Sequence, residues 1–194
     1  AAFLEGPARG ILAGERVALN FLGHLSGVAT LTRAFVEKVR GTPVKILDTR
    51  KTTPGLRLLE KYAVRMGWGA NHRAGLYDGV LIKDNHLKLV ALLPSPSPLP
   101  SGERERVRGS AIERAIAQVR ATVQKNTPIE VEVTSLQEFR QALSARADLI
   151  LLDNMKLTEI QEAVRLRNAV ARSKGGSRVL LEVSGGVTLE SVRP

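Results

Sequence analysis

The sequence predicts an α/β protein, an incomplete (β/α) barrel of parallel strands with outer helices. Three observations carry that prediction. Short apolar runs alternate with amphipathic helical stretches, each run ends in a charged or glycine-rich tip, and the chain holds five such runs where a full barrel has eight. With 194 residues, 43% of them hydrophobic, there is material for one sizeable core.

The elements follow in order. From Gly14 to Arg40, apolar residues recur at helical spacing around Leu19, Leu22, Phe35 and Val39. The interruption at Ser26-Gly27 predicts two consecutive helices or one kinked helix. Gly41-Thr42-Pro43 ends that stretch, and Val44 to Leu47 reads as a buried strand opening onto Asp48-Thr49-Arg50-Lys51. Leu56 to Met66 is a helix, Gly79 to Ile82 a strand ending in Lys83-Asp84-Asn85-His86, and Ala111 to Val123 a helix. Three further strands are predicted at Ile129 to Val133, Leu149 to Leu152 and Val179 to Val183. Helices at Gln137 to Arg146 and Leu157 to Ala171 separate them, and the last strand ends at Ser184-Gly185-Gly186 before a helix start. Residues 93–110, with alternating Pro and Ser followed by mixed charges, read as a flexible surface insertion.

Composition narrows the chemistry. The absence of cysteine removes disulfides, thiolate catalysis and zinc-thiolate sites, and is compatible with a cytoplasmic setting. Three histidines without an acidic partner at helical spacing make a zinc site a poor reading. No run approaches the ~20 apolar residues of a membrane span, and no targeting segment is expected. A first residue of Ala rather than Met suggests that the sequence starts within a longer product. The formal charge of +10 draws anions, but aromatic residues are only 4% and scattered, which disfavours base stacking and hence nucleic acid. Small phosphorylated molecules are the better match, with a basic nucleic-acid binder as the remote alternative.

The densest constellation runs from Asp48 to Arg57. Arg50 offers a planar fork for a carboxylate and Lys51 a compact charge for phosphate. The competing reading is a solvated basic loop. Repetition at other tips, with His72-Arg73 before the second strand and Lys83 after it, favours an anionic guest. Glu130 and Glu132 alternate with Ile129, Val131 and Val133, so both carboxylates share one strand face. With Asp153 they read as a magnesium and ribose site, the alternative being that each merely pairs with a neighbouring Lys or Arg. Ser184-Gly185-Gly186 suits backbone contact with a phosphate.

Taken together, these segments resemble the quinolinate phosphoribosyltransferase family. The resemblance runs through Glu15 to Asn20, Leu25 to Thr30, Ile46 to Arg57, His72 to Asp78, Leu81 to His86, Glu130 to Val133, Leu151 to Met155 and Glu182 to Val187. It implies a barrel of the type II phosphoribosyltransferase kind. Residues 1–41 would then be a helical remnant of an N-terminal domain with its linker, and residues 42–194 a partial catalytic barrel whose remaining strands lie beyond Pro194. It implies phosphoribosyl transfer from phosphoribosyl pyrophosphate to quinolinate, with decarboxylation, in NAD biosynthesis. It further implies that Arg50, Arg73 and Lys83 hold the carboxylates, and that Arg16 reaches in from a second subunit of a homodimer or higher oligomer. Lys51 would contact phosphate, with Thr49 and His72 beside the substrate. Glu132 and Asp153 would serve the ribose and Mg2+, and Ser184, Gly185 and Gly186 the phosphates. Nicotinate phosphoribosyltransferase is the near rival, but the surplus of rim arginines favours a dicarboxylate. A non-catalytic fragment is the third reading.

Overall fold

The computed structural model describes residues 3–92, 110–174 and 179–193. They divide into two compact units, Ala1–Gly75 with Val187–Pro194, and Leu76–Gly186.

In the second unit four strands form one parallel sheet in the order β1 (Val80–Ile82), β2 (Ile129–Val133), β3 (Leu149–Asp153), β4 (Leu180–Ser184). Sequential order without a reversal is the arrangement of a barrel wall rather than of a doubly wound sheet. The register places Glu130 beside Leu81 and Leu149, and Glu132 beside Leu151, which in turn neighbours Glu182. One face therefore carries Glu130, Glu132, Glu182 and Asp153, as the alternation in β2 predicts.

The opposite face is the core. Ile129, Val131, Val133, Ile150 and Leu152 are fully buried. They pack with Ile112 and Ile116 of α4 (Ala111–Thr122), Phe139 and Ala142 of α5 (Leu136–Ser144), and Ala163 of α6 (Leu157–Lys174). Each such side chain contributes about 1.5–3 kcal/mol through burial, which holds these helices on that face of the sheet. Within this unit α4, α5 and α6 pack on the apolar face, and the acidic side chains lie on the other.

Local signals set the helix starts. Ser110 caps α4 in a reciprocal capping box with Glu113. Ser110 therefore belongs to the helix start and not to the Pro-Ser segment in which the sequence reading placed it; the rest of that segment, 93–109, lies outside the described residues. Ser135 accepts from Glu138 N at 3.3 Å to start α5. At the lower end of the sheet, Asp148 Oδ2 accepts from Ile129 N and from Arg120 Nη1, tying β2 to α4.

In the first unit α1 (Ala8–Lys38) packs on α2 (Arg57–Met66). Of the two readings at Ser26-Gly27, the two-helix one is set aside: α1 runs through as one helix, since one glycine costs a helix interior only about 1 kcal/mol. Gly67 marks that packing. A Cβ there would fall on Ala29 O and lie 2.7 Å from Thr32 Cβ, so only glycine lets the end of α2 sit against α1. Arg33 lies over the Trp68 ring, 3.6 Å from its centroid.

Three further expectations change. Val44 to Leu47 forms no buried strand; Leu47 makes a single parallel bridge to Ala70, and the run is exposed or half-buried. Ala70 is its only pairing partner among the described residues, too little to extend a ladder. The strand ending Lys83-Asp84-Asn85-His86 is itself mostly helical, since α3 (Asp84–Leu92), which the sequence reading did not include, begins at once after Lys83, whose N–H is received by His86 Nδ1 at 3.0 Å. After Gly186 the described residues make turns rather than a helix, with Val192 N bonded to Thr188 O. No helix of the described residues is long and apolar enough to cross a membrane.

Candidate functional site

In the first unit a buried ion pair organises the segment that follows Leu47. Lys61 is only 4% exposed although it belongs to an amphipathic helix. Its Nζ lies 2.5 Å from Asp48 Oδ1 and donates to His72 O at 2.9 Å, while Asp48 Oδ1 also accepts from His72 N at 2.9 Å. The segment carrying Thr49, Arg50 and Lys51 is thereby fastened to the segment carrying His72 and Arg73. Arg57 adds a second clasp through Thr52 Oγ1, Arg50 O and Ala74 O. Arg50 is half-buried, and its Nε has no hydrogen-bond partner among the described residues. Thr49 Oγ1 accepts from Lys51 N at 3.0 Å, with both residues exposed. The structure brings Thr49, Arg50, Lys51, His72 and Arg73 together in this way. Arg16 is not brought to this group; it is exposed in the N-terminal third of α1.

Glu60 ties the same loop to α2. Its Oε2 accepts from Thr53 N at 3.2 Å and its Oε1 lies 2.8 Å from His24 Nε2. The Thr53 hydrogen bond and then the His24 contact hold its carboxyl below the ordinary glutamate range. A lowered pKa means stabilisation that is present above the ordinary value and lost as pH falls through the folded value. Glu60→Gln is accordingly expected to unfold at lower urea than wild type at neutral pH, with the gap closing as pH falls below the ordinary glutamate range. A gap that stays constant with pH would contradict this role.

In the second unit Lys83 Nζ pairs with Glu132 Oε2 at 2.9 Å, joining the tips of β1 and β2. Asp153 ends β3 beside Ser184 of β4 and accepts from Ser184 Oγ at 2.6 Å and from Asn154 Nδ2 at 2.9 Å. Gly185 and Gly186 follow with φ of 82° and 65°, a backbone that glycine adopts freely and that turns the chain out of the sheet. Lys83 and Glu132, and Asp153, Ser184 and the two glycines, therefore form two adjoining groups at the ends of the strands. Glu130 is buried at 3% exposure, and its carboxylate offers an oxygen within 4.8 Å of one from Glu182.

Sequence reasoning did not single out Asp48, Lys61, Arg57, Glu182 or Asn154 as organisers. Lys61 carried no sequence signal, and its burial beside Ala63 and Val64 shows only in the folded helix. Glu182 becomes visible only once the register aligns it with Leu151 and Glu132.

The model of the quinolinate phosphoribosyl transferase C-terminal domain matches residues 28–96 and 101–194. The chain belongs to this family. Among curated relatives, nicotinate-nucleotide pyrophosphorylase [carboxylating] of Mycobacterium leprae is 46% identical over 97% of this chain and 57% of its own length. The human protein of the same name is 39% identical over 97% of this chain and 56% of its own length. The chain spans a little over half the length of the curated relatives it matches. Solved structures agree in fold. NadC from Streptococcus pyogenes is 41% identical with a TM-score of 0.75, over 96% of this chain and 56% of that one. Nicotinate-nucleotide pyrophosphorylase from Ehrlichia chaffeensis is 42% identical with a TM-score of 0.73, over 92% of this chain and 55% of that one. The parallel sheet with helices on one face is accordingly the fold of this family.

Proposed function

We propose that the chain supplies the catalytic core for transfer of a phosphoribosyl group from phosphoribosyl pyrophosphate to the nitrogen of quinolinate. The C–N bond forms as pyrophosphate leaves, and the 2-carboxylate then departs as CO2 to give nicotinate mononucleotide. The observation that carries this reading is the extent of the family match together with the common name of the relatives.

The residues fit the roles. Arg50 and Arg73, on two segments fastened by Lys61 and Asp48, offer guanidinium forks to the two carboxylates, and Lys83 adds a third cation. Thr49 and His72 flank the ring, and Lys51 takes phosphate. As pyrophosphate departs, the sugar carbon gains oxocarbenium character, which Glu132 and Asp153 stabilise from the acidic sheet face. The electron pair left by CO2 is received by the positively charged ring nitrogen, so no protein nucleophile is required. Ser184, Gly185 and Gly186 present backbone N–H groups to phosphate.

The donor set suits Mg2+, which prefers hard oxygen ligands and keeps several waters. Glu132 is already engaged by Lys83, and both Asp153 oxygens accept hydrogen bonds, so contact through water suits these carboxylates better than direct ligation. When bound, the ion supplies positive charge to the pyrophosphate leaving group. A cytoplasmic homodimer or larger assembly, with Arg16 of one subunit serving the other, completes the proposal.

Product analysis tests it. The chain, given quinolinate, phosphoribosyl pyrophosphate and Mg2+, is expected to yield nicotinate mononucleotide and CO2 in equal amounts. Product from nicotinate but none from quinolinate would contradict it.

A further inference from the structure

The tip of β3 holds a residue that the chemistry above does not use. Asn154 has φ of 52°, in the left-handed region where asparagine is the best tolerated residue after glycine. From there its Nδ2 reaches back to Asp153 Oδ2 at 2.9 Å, while its own N–H binds Ser184 O at 2.9 Å across to β4. Ser184 Oγ takes the other oxygen, Asp153 Oδ1, at 2.6 Å. Both carboxylate oxygens are therefore held, one from each strand.

The same side chain occupies the space beside Gly185. A Cβ at Gly185 would fall on Asn154 Oδ1 and lie 2.9 Å from Asn154 Nδ2. Gly185 is thus called for by its φ of 82°, and any side chain there would also have to displace the Asn154 amide. A single amide touches both the acidic tip and the glycine turn.

We propose that Asn154 is a positioning residue for phosphoribosyl pyrophosphate, locking the Asp153 carboxylate and the Ser184-Gly185-Gly186 turn into one rigid unit. The inference rests on the phosphoribosyl-transfer reading. Its physical content is that a carboxylate free to rotate, and a turn free to shift into the vacated space, bind a sugar phosphate less well. The carboxylate-binding arginines belong to other segments and do not feel the change.

Asn154→Gly removes the side chain while keeping an unstrained backbone at positive φ, and Asn154→Asp keeps the shape but turns the donor into a negative acceptor facing Asp153. Titration calorimetry with phosphoribosyl pyrophosphate in Mg2+, and separately with quinolinate, reads the two sites apart. For Asn154→Gly we expect phosphoribosyl pyrophosphate affinity to fall about tenfold with quinolinate affinity within about twofold of wild type. Asn154→Asp is expected to lose more than Asn154→Gly. Urea unfolding of each variant accompanies the titrations. Parallel loss of both ligands together with a lower unfolding midpoint would overturn the inference in favour of a structural role. So would unchanged phosphoribosyl pyrophosphate binding by Asn154→Gly while wild type binds both ligands. Wild type that binds neither ligand would overturn the functional reading, and this inference with it, and is distinguishable from the other outcomes by the unmutated chain alone.

Discussion

Lys61→Met is expected to destabilise the first unit by about 3–5 kcal/mol, the range for removing one partner of a buried ion pair. The lysine and Asp48 side chains are only 5% and 7% exposed, so solvent screens the pair little. Methionine fills most of the volume but leaves the Asp48 carboxylate without its cation. Asp48 Oδ2 is already buried without a hydrogen bond, and Oδ1 would keep only the N–H of His72. His72 O would lose its donor as well. Urea unfolding checks the value through the shift in midpoint at unchanged slope. Adding Asp48→Asn should restore part of the loss, because asparagine removes the uncompensated charge and retains an acceptor for His72 N–H. A single variant within about 0.5 kcal/mol of wild type would mean that the pair is not buried in solution.

The parallel sheet was legible because its strands announce themselves twice. Ile129-Glu130-Val131-Glu132-Val133 shows a strict alternation, and Leu149 to Leu152 is an apolar run of strand length closed by Asp153. The first signal is a period-2 alternation and the second a continuous apolar run of strand length, and both depend on local residue order alone. Val44 to Leu47 offers the same local pattern but forms only one bridge, because a strand also needs a neighbour and local order does not supply one. The continuous α1 shows the reverse case. Ser26-Gly27 is a weak breaker, costing about 1 kcal/mol, and the helix formers on either side carry the helix through it.

The candidate site was legible where its chemistry is concentrated in motifs. Lys83 and Ser184-Gly185-Gly186 stand at the ends of β1 and β4, whereas Arg50-Lys51 follow only an isolated bridge and His72-Arg73 precede β1. The organisers were not legible, since their roles depend on geometry. Asn154 gave no signal beyond its place after Asp153. Its positive φ and its contact with Gly185 arise from two strands meeting in register. Lys61 likewise looks like any helical lysine until Asp48 is found 13 residues earlier in the chain and buried against it.

The largest effect on ligand binding is expected from Arg73→Ala. Arg73 follows His72, whose N–H and carbonyl are both fixed by the Asp48 and Lys61 pair, and its own N–H binds His72 Nδ1 at 2.8 Å. The backbone at this position is therefore set before any substrate arrives. A guanidinium on such a support loses little freedom when it binds a carboxylate, and a charge-assisted, two-pronged contact of that kind contributes about 2–5 kcal/mol when shielded from water. Alanine removes the fork without touching the His72 clasp, so the fold should persist while the dicarboxylate loses a partner. Quinolinate affinity is expected to fall at least about 100-fold.

Calorimetric titration of quinolinate into wild type and Arg73→Ala, both first shown by circular dichroism to be folded, is the measurement closest to the central claim that these basic tips recognise a pyridine dicarboxylate. The account predicts saturable heat from the wild-type chain and almost none from the variant over the same concentrations. Equal heats from the two proteins would contradict it.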